Sequence, residues 1–386
     1  MNEISSQELL LAETLIIKRD FAILSDIVIN LGGELITPFL PFAALFCKEI
    51  TDYLNNMGVS VSFPITSKYS IADIRNKTKF FDMSTNKLLE TIRFVDELQD
   101  NYFSGLLRFE FLKWFNLHYN LGVYFSDKKI MGNTHYAFYI LQNDKELLKQ
   151  FSDHKKYEIL STQAKSLGID LGQIIGVINK AISGVFQRKG ISDPLTESVF
   201  IKNNLIVNYK DYNTNRIKKI GTGSTRAINV LLLHILSNAN LACYGLTATI
   251  RKDNGILLRL QYIVLHYICV RINKLNEYIK QNPNICCDKS QLQIISTLVS
   301  AVAQIERGEI TVTTFRNCLM HLRLSDKDGN PLIKKQYYDI SKPYCGLVES
   351  LFDNNDYSDV TSKISASLIE ISSILEPYLA ELTPSP

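Results

Sequence analysis

Residues 256–279 read ILLRLQYIVLHYICVRINKLNEYI, and their apolar pattern sets the architecture of the C-terminal half. Ile256, Leu260, Ile263, Tyr267 and Val270 recur three or four apart, so they share one face of an α-helix. The same spacing continues on both sides. Arg226 to Ser237 repeats it upstream, and Leu292, Ile295, Leu298, Val302 and Ile305 repeat it downstream, in a helix entered from Asp288 and broken near Gly308. A further helix is predicted from Thr313 to Leu324. The last carries Val360, Ile364, Leu368, Ile371, Leu375 and Tyr378, with Ser358 as its cap and Pro377 bending its end. Long helices with short connections and apolar stripes form a bundle.

The N-terminal half has a mixed period. Gln7 to Asn56 reads as helix, and Thr85 to Leu98 as a helix entered at Ser84. Leu121 to Phe125 and His135 to Leu141, rich in Tyr, Phe and Val, flank the polar run Ser126 to Thr134 and predict a β-hairpin. A second hairpin is predicted from Ser198 to Ile201 with Leu205 to Tyr209. Tyr157 to Leu167 and Leu171 to Phe186 read as helices between them. The polar stretch from Tyr209 to Ser224 is the predicted boundary, giving an N-terminal domain over 1–220 and a bundle over 224–386. The expected fold class is mainly α, with small β-hairpins in an α+β N-terminal domain.

A chain of 386 residues with 46% hydrophobic and 21% charged positions is neither disordered nor fibrous. Its 42 Lys and Arg against 39 Asp and Glu leave a net charge of +3, so any nucleic-acid site must be local. Seven cysteines with no C-x-x-C pair fit a reducing cytoplasm, and the acidic N-terminus differs from a secretory signal. The apolar windows Leu35 to Cys47 and Ile256 to Ile272 are interrupted by prolines or by Arg and His, so no bilayer span and no membrane partner is expected.

Chemistry concentrates in Thr314-Phe315-Arg316-Asn317-Cys318-Leu319-Met320-His321. Arg316 and His321 enclose four residues, and Asn317 follows the Arg directly. With 6 His and 13 Arg in the chain, chance yields about 0.6 such pairs at loose spacing, and about 0.05 once the Asn is required. Arg259 and His266 meet the loose spacing but lack the Asn, and read as a helix-face Arg and a core His. On a helix Asn317 and His321 lie at i and i+4, with Arg316 to one side and long enough to reach round. An imidazole suits proton transfer near neutral pH, and a guanidinium suits a phosphorane's negative charge. Asn is suited to orient the imidazole or to hold a phosphate oxygen.

This R-N-x-x-x-H stretch late in a helical bundle resembles the motif of the HEPN superfamily, found in ribonucleases of toxin, abortive-infection and CRISPR antiviral systems. The resemblance covers the C-terminal part only. It implies a metal-independent, cofactor-free RNA endonuclease in which the 2′-OH attacks the neighbouring phosphorus. Arg316, Asn317 and His321 would be the catalytic residues, at a composite site shared by a homodimer. The implied partners are RNA and a possible antitoxin or regulatory protein.

Around the motif, Arg316, Arg323, Lys327, Lys334 and Lys335 against Asp326 and Asp328 leave an excess of positive charge that suits a phosphate backbone. Tyr344 is a candidate base-stacking residue, and Glu306 a candidate partner for Arg316 or His321. Residues 1–220 carry no catalytic constellation and are expected to sense a trigger, position RNA or restrain the nuclease. The alternative from another class is a non-catalytic helical module that dimerises or binds a nucleotide or protein.

Overall fold

The stripe on residues 256–279 forms one side of a long helix that touches both halves of the chain. The structure is a computed structural model, and it describes residues 4–30, 32–63, 70–78, 83–105, 119–141, 156–190, 205–214, 217, 220, 223–250, 255–285, 287–308, 310, 312–352 and 355–382. It is mainly helical with one small antiparallel sheet, as the sequence predicts. The N-terminal helices are α1 (Ser6–Asn30), α2 (Gly32–Asn56), α3 (Ile71–Thr78), α4 (Thr85–Gly105), α5 (His135–Leu141) and α6 (Lys156–Lys189). The C-terminal helices are α7 (Gly223–Asn240), α8 (Ile256–Gln281), α9 (Lys289–Arg307), α10 (Thr313–His321), α11 (Leu347–Leu351) and α12 (Tyr357–Tyr378).

The sheet corrects the first predicted hairpin and places the second arm of the other. Strands β1 (Leu121–Ser126) and β2 (Lys129–Asn133) are joined by Asp127 and Lys128, whose φ values of 46° and 66° make a tight left-handed turn. The second strand therefore lies inside the stretch read as turn, and His135–Leu141 is the helix α5. Its aromatic residues have another use, since Tyr136, Phe138 and Tyr139 are buried against the helices. Strand β3 (Asn208–Tyr212) pairs with the other edge of β1, Leu121 opposite Tyr212 and Phe125 opposite Asn208. It is thus a third strand of this sheet, beginning three residues later than the predicted Leu205. Residues 198–201 lie outside the described residues. Gly132 of β2 meets α2 so closely that an added Cβ would stand 2.9 Å from the Pro38 ring.

Helix α7 is buried from Ala227 to its end at Asn240 and forms the axis of the fold. A helix covered all round needs partners for its polar side chains. Asn229 accepts from Gln291 of α9 at 2.9 Å and from Tyr378 of α12 at 2.8 Å, and Asn240 accepts from Ser372 at 2.5 Å. Arg226 forks onto Asp96 of α4. The two predicted segments therefore share one continuous core, in which β2 and α4 pack on α7 and α2 packs on α10. At the C-terminal end the cap of α12 is Asp356, two residues before the predicted Ser358. Its carboxylate accepts from the Asp359 amide at 2.9 Å in a reciprocal capping box.

Three helices, Ile169–Lys189, Thr225–Thr249 and Ile256–Gln281, have the length and apolar composition to cross a membrane, which the interrupted windows alone did not suggest. In this fold the most apolar 18 residues of each are 44%, 94% and 72% buried, so protein covers most of that stretch in the second and third and less than half in the first.

Candidate functional site

Helix α10 is nine residues long and ends sooner than predicted, because Leu322 takes a left-handed conformation at φ 54°. Its inner face is apolar. Phe315 is fully buried, edge-on to Tyr262 and Phe352 with ring centroids 4.8 and 5.0 Å away, and Cys318, Leu319 and Met320 are buried beside it. The Tyr262 hydroxyl donates to the Val312 carbonyl at 2.8 Å and holds the start of the helix. With that face spent on packing, Arg316, Asn317 and His321 stand on the other side, Arg316 half-buried and the other two exposed.

Arg316 and His321 line one pocket, and Asn317 and His321 line the groove beside it. Arg316 Nη1 donates to Asn317 Oδ1 at 3.1 Å. Asn317 thus meets the Arg through its side-chain oxygen, where the sequence suggested a bond to the imidazole or to a phosphate oxygen. His321, at the last position of the helix, has Nδ1 at 3.3 Å from Glu49 Oε2 of α2. A carboxylate that accepts from Nδ1–H selects the tautomer whose Nε2 is free to take a proton.

Glu49 is a candidate site residue that the sequence did not single out. Glu306, chosen for its nearness in sequence, instead accepts from Asn273 at 2.9 Å and is exposed. No local signal marks Glu49, which lies 272 positions from His321. Tyr344 is also corrected: it is 3% exposed and its hydroxyl donates to the Gly255 carbonyl at 2.8 Å, so it packs under the bundle and offers no face to a base. Gly255, at φ 119°, leaves room for that ring, since a Cβ there would lie 2.8 Å from it.

Arg259 is 1% exposed, paired with Asp20 of α1 and seated 4.5 Å from the Phe46 ring centroid. It is an internal strut, where the sequence suggested an Arg on a helix face. His266, one helix over from the motif, is held below the usual imidazole range by burial and then by the nearby charge of Arg316.

The cationic run after the motif meets carboxylates of the N-terminal helices. Lys335 donates to Glu8 at 2.5 Å, which with the Ser5 amide and hydroxyl brings the Glu8 carboxyl down to about 2. Glu13 accepts from the Leu324 amide at 3.0 Å, and burial outweighs that bond and Arg323 to raise its carboxyl above the usual range. Arg323 and Lys327 are exposed on a groove of about 1240 Å³, but Glu13, Glu49, Asp52 and Asp326 line the same groove. Lys334 is exposed as well, its backbone amide bonded to Ser350. Across His321 lies a smaller pocket of about 300 Å³ with the opposite charge, lined by Lys48, Arg75 and Arg316 and by one carboxylate, Glu49. Among the described residues no group of three His, Cys, Asp or Glu side chains is placed to hold a metal ion.

Comparison of the chain with protein-family models, with curated proteins and with solved structures gives no match.

Proposed function

We propose that the protein is an RNA endonuclease of the HEPN type that cuts without a metal ion. The observation that carries this reading is the exposed cluster on α10: a His with a carboxylate on Nδ1, beside an Arg held by its neighbouring Asn. A polar cluster kept for stability would be buried and mutually satisfied, whereas the His321 side chain is 52% exposed.

The chemistry follows from the placement. Nε2 of His321 takes the proton of a ribose 2′-OH, and the freed oxygen attacks the adjacent phosphorus. The 5′-oxygen leaves and receives a proton. Glu49 steadies the imidazolium formed in the first step, and Arg316 binds the phosphorane oxygens with its planar fork. One imidazole on the exposed face of α10 supplies one proton carrier. In this proposal a second copy of the chain supplies the other, across a two-fold axis, in a cytoplasmic homodimer acting as a toxin or antiviral effector.

The test compares wild type, Arg316→Ala and His321→Ala on structured and single-stranded RNA in the presence of chelator. The expected result is cutting by wild type and a loss of about 100-fold or more in each variant. A wild type that leaves RNA intact, or a His321→Ala protein that cuts as well as wild type, ends this reading in favour of a non-catalytic module. Mixing the two inactive variants and recovering part of the activity would support the shared site.

A further inference from the structure

The pocket of about 300 Å³ beside His321 is built by three elements that sequence reading did not connect. Lys48 comes from α2, Arg75 from α3 and Arg316 from α10, with Leu45 and Met320 as apolar floor. Arg75 is 8% exposed and stands one turn into α3. A capping box fixes the start of that helix, with the Asp73 amide donating to Ser70 Oγ and the Ser70 amide to Asp73 Oδ2, each at 3.1 Å. Among the described residues Glu49 is the one carboxylate in the lining, and it faces the His321 ring. Lys48 is also paired with Asp52, one turn further along α2 and outside this lining.

The contrast across His321 assigns the polarity. The large groove on the other side carries four carboxylates against Arg323 and Lys327, while the small pocket carries three cations against one carboxylate. An anion is repelled from the first and drawn to the second. Two of the three cations in the lining are guanidinium groups from different helices, a group whose planar fork suits the oxygens of a phosphate better than a point charge does. The volume is at the lower end of that of small-ligand pockets, so it suits one phosphate with its sugar and not a duplex.

We propose that Lys48, Arg75 and Arg316 form a phosphate-binding pocket, so that the N-terminal half supplies direct ligands to the site. Its use in holding the phosphate of an RNA substrate rests on the nuclease reading above; its affinity for phosphate does not. The ligand is a phosphate ester, either free in a mononucleotide or within a strand.

The experiment uses the full chain. Binding of a fluorophore-labelled 2′-O-methyl tetraribonucleotide, which cannot be cut, is followed by anisotropy, with inorganic phosphate and adenosine 3′-monophosphate as competitors. Wild type is expected to bind and to be competed. Lys48→Ala and Arg75→Ala are expected to weaken binding about tenfold or more, and the remote Lys363→Ala less than about twofold. Because Arg75 is buried, melting is recorded for each protein. Arg75→Lys keeps charge and most of the volume and is expected to weaken binding several-fold at unchanged melting temperature. An oligonucleotide bound far more tightly than the mononucleotide identifies a strand as the source, and equal affinities identify a free nucleotide.

Wild type that binds none of the three probes, or Arg75→Lys and Lys48→Ala proteins that bind as wild type does, would overturn the pocket. Phosphate binding lost in those variants while wild type cuts no RNA leaves the pocket standing and removes the nuclease. RNA cutting with unchanged binding in the variants does the reverse.

Discussion

His321 is placed by its neighbours on both sides. Leu322 turns the chain left-handed and ends α10, and Glu49 meets the ring from a different part of the fold. If the carboxylate only orients the imidazole and steadies its charge, its loss should act on turnover more than on binding. Glu49→Gln is expected to lower kcat for RNA cutting about 10- to 100-fold while KM stays within about twofold. Steady-state kinetics on a defined oligonucleotide measure this. A change confined to KM would move Glu49 from positioning to substrate contact. At this level the sequence was informative about Arg316, Asn317 and His321, because their relation is local and a helix converts spacing into direction. It was silent about Glu49 and Arg75, whose relation to the motif exists only once the chain has folded back.

Helix α10 is too short to be stable on its own, so its position depends on what it packs against. Phe315 is the anchor, enclosed by Tyr262, Tyr344 and Phe352. Phe315→Ala is expected to cost about 3–5 kcal/mol through the cavity it leaves, seen as a lower urea midpoint together with loss of RNA cutting. A normal midpoint with lost cutting would mean that Phe315 acts at the site and not through packing. The long helices were legible because many apolar positions repeat with one period, as in α8, α9 and α12. The hairpin was not. Asp127 and Lys128 adopt a turn that glycine and asparagine usually signal, and the aromatic run of α5 imitates a strand because it is buried on several sides.

Across the molecule the two halves are held by polar ties as well as by the shared core. Arg19 of α1 donates to the Ile340 and Lys342 carbonyls at 2.6 and 3.1 Å, and Asp20 pairs with Arg259 in the interior. Breaking a buried ion pair strands one charge, so Asp20→Ala is expected to cost about 3–5 kcal/mol. The double variant Asp20→Leu, Arg259→Met is expected to recover much of that loss. Chemical denaturation of the three proteins checks it, and equal losses in the single and double variants would show that packing alone matters there. The same ties explain the charge of the site. Part of the positive charge in Arg316 to Lys335 is met by Glu8 and Glu13 of the N-terminal helices, which is why the pocket of Lys48, Arg75 and Arg316 is the one proposed for an anion.

Local order was therefore written in the sequence: a mainly helical chain, the positions of most long helices, and three chemically apt residues on one short helix. Periodic burial and helical spacing act over a few residues, and both can be read along the chain. The partner of His321, the burial of Tyr344 and Arg259, the joining of both halves through one core and the sign of charge on each side of the motif came only with folding. Each depends on contacts between residues far apart in sequence, whose free energy no local pattern records.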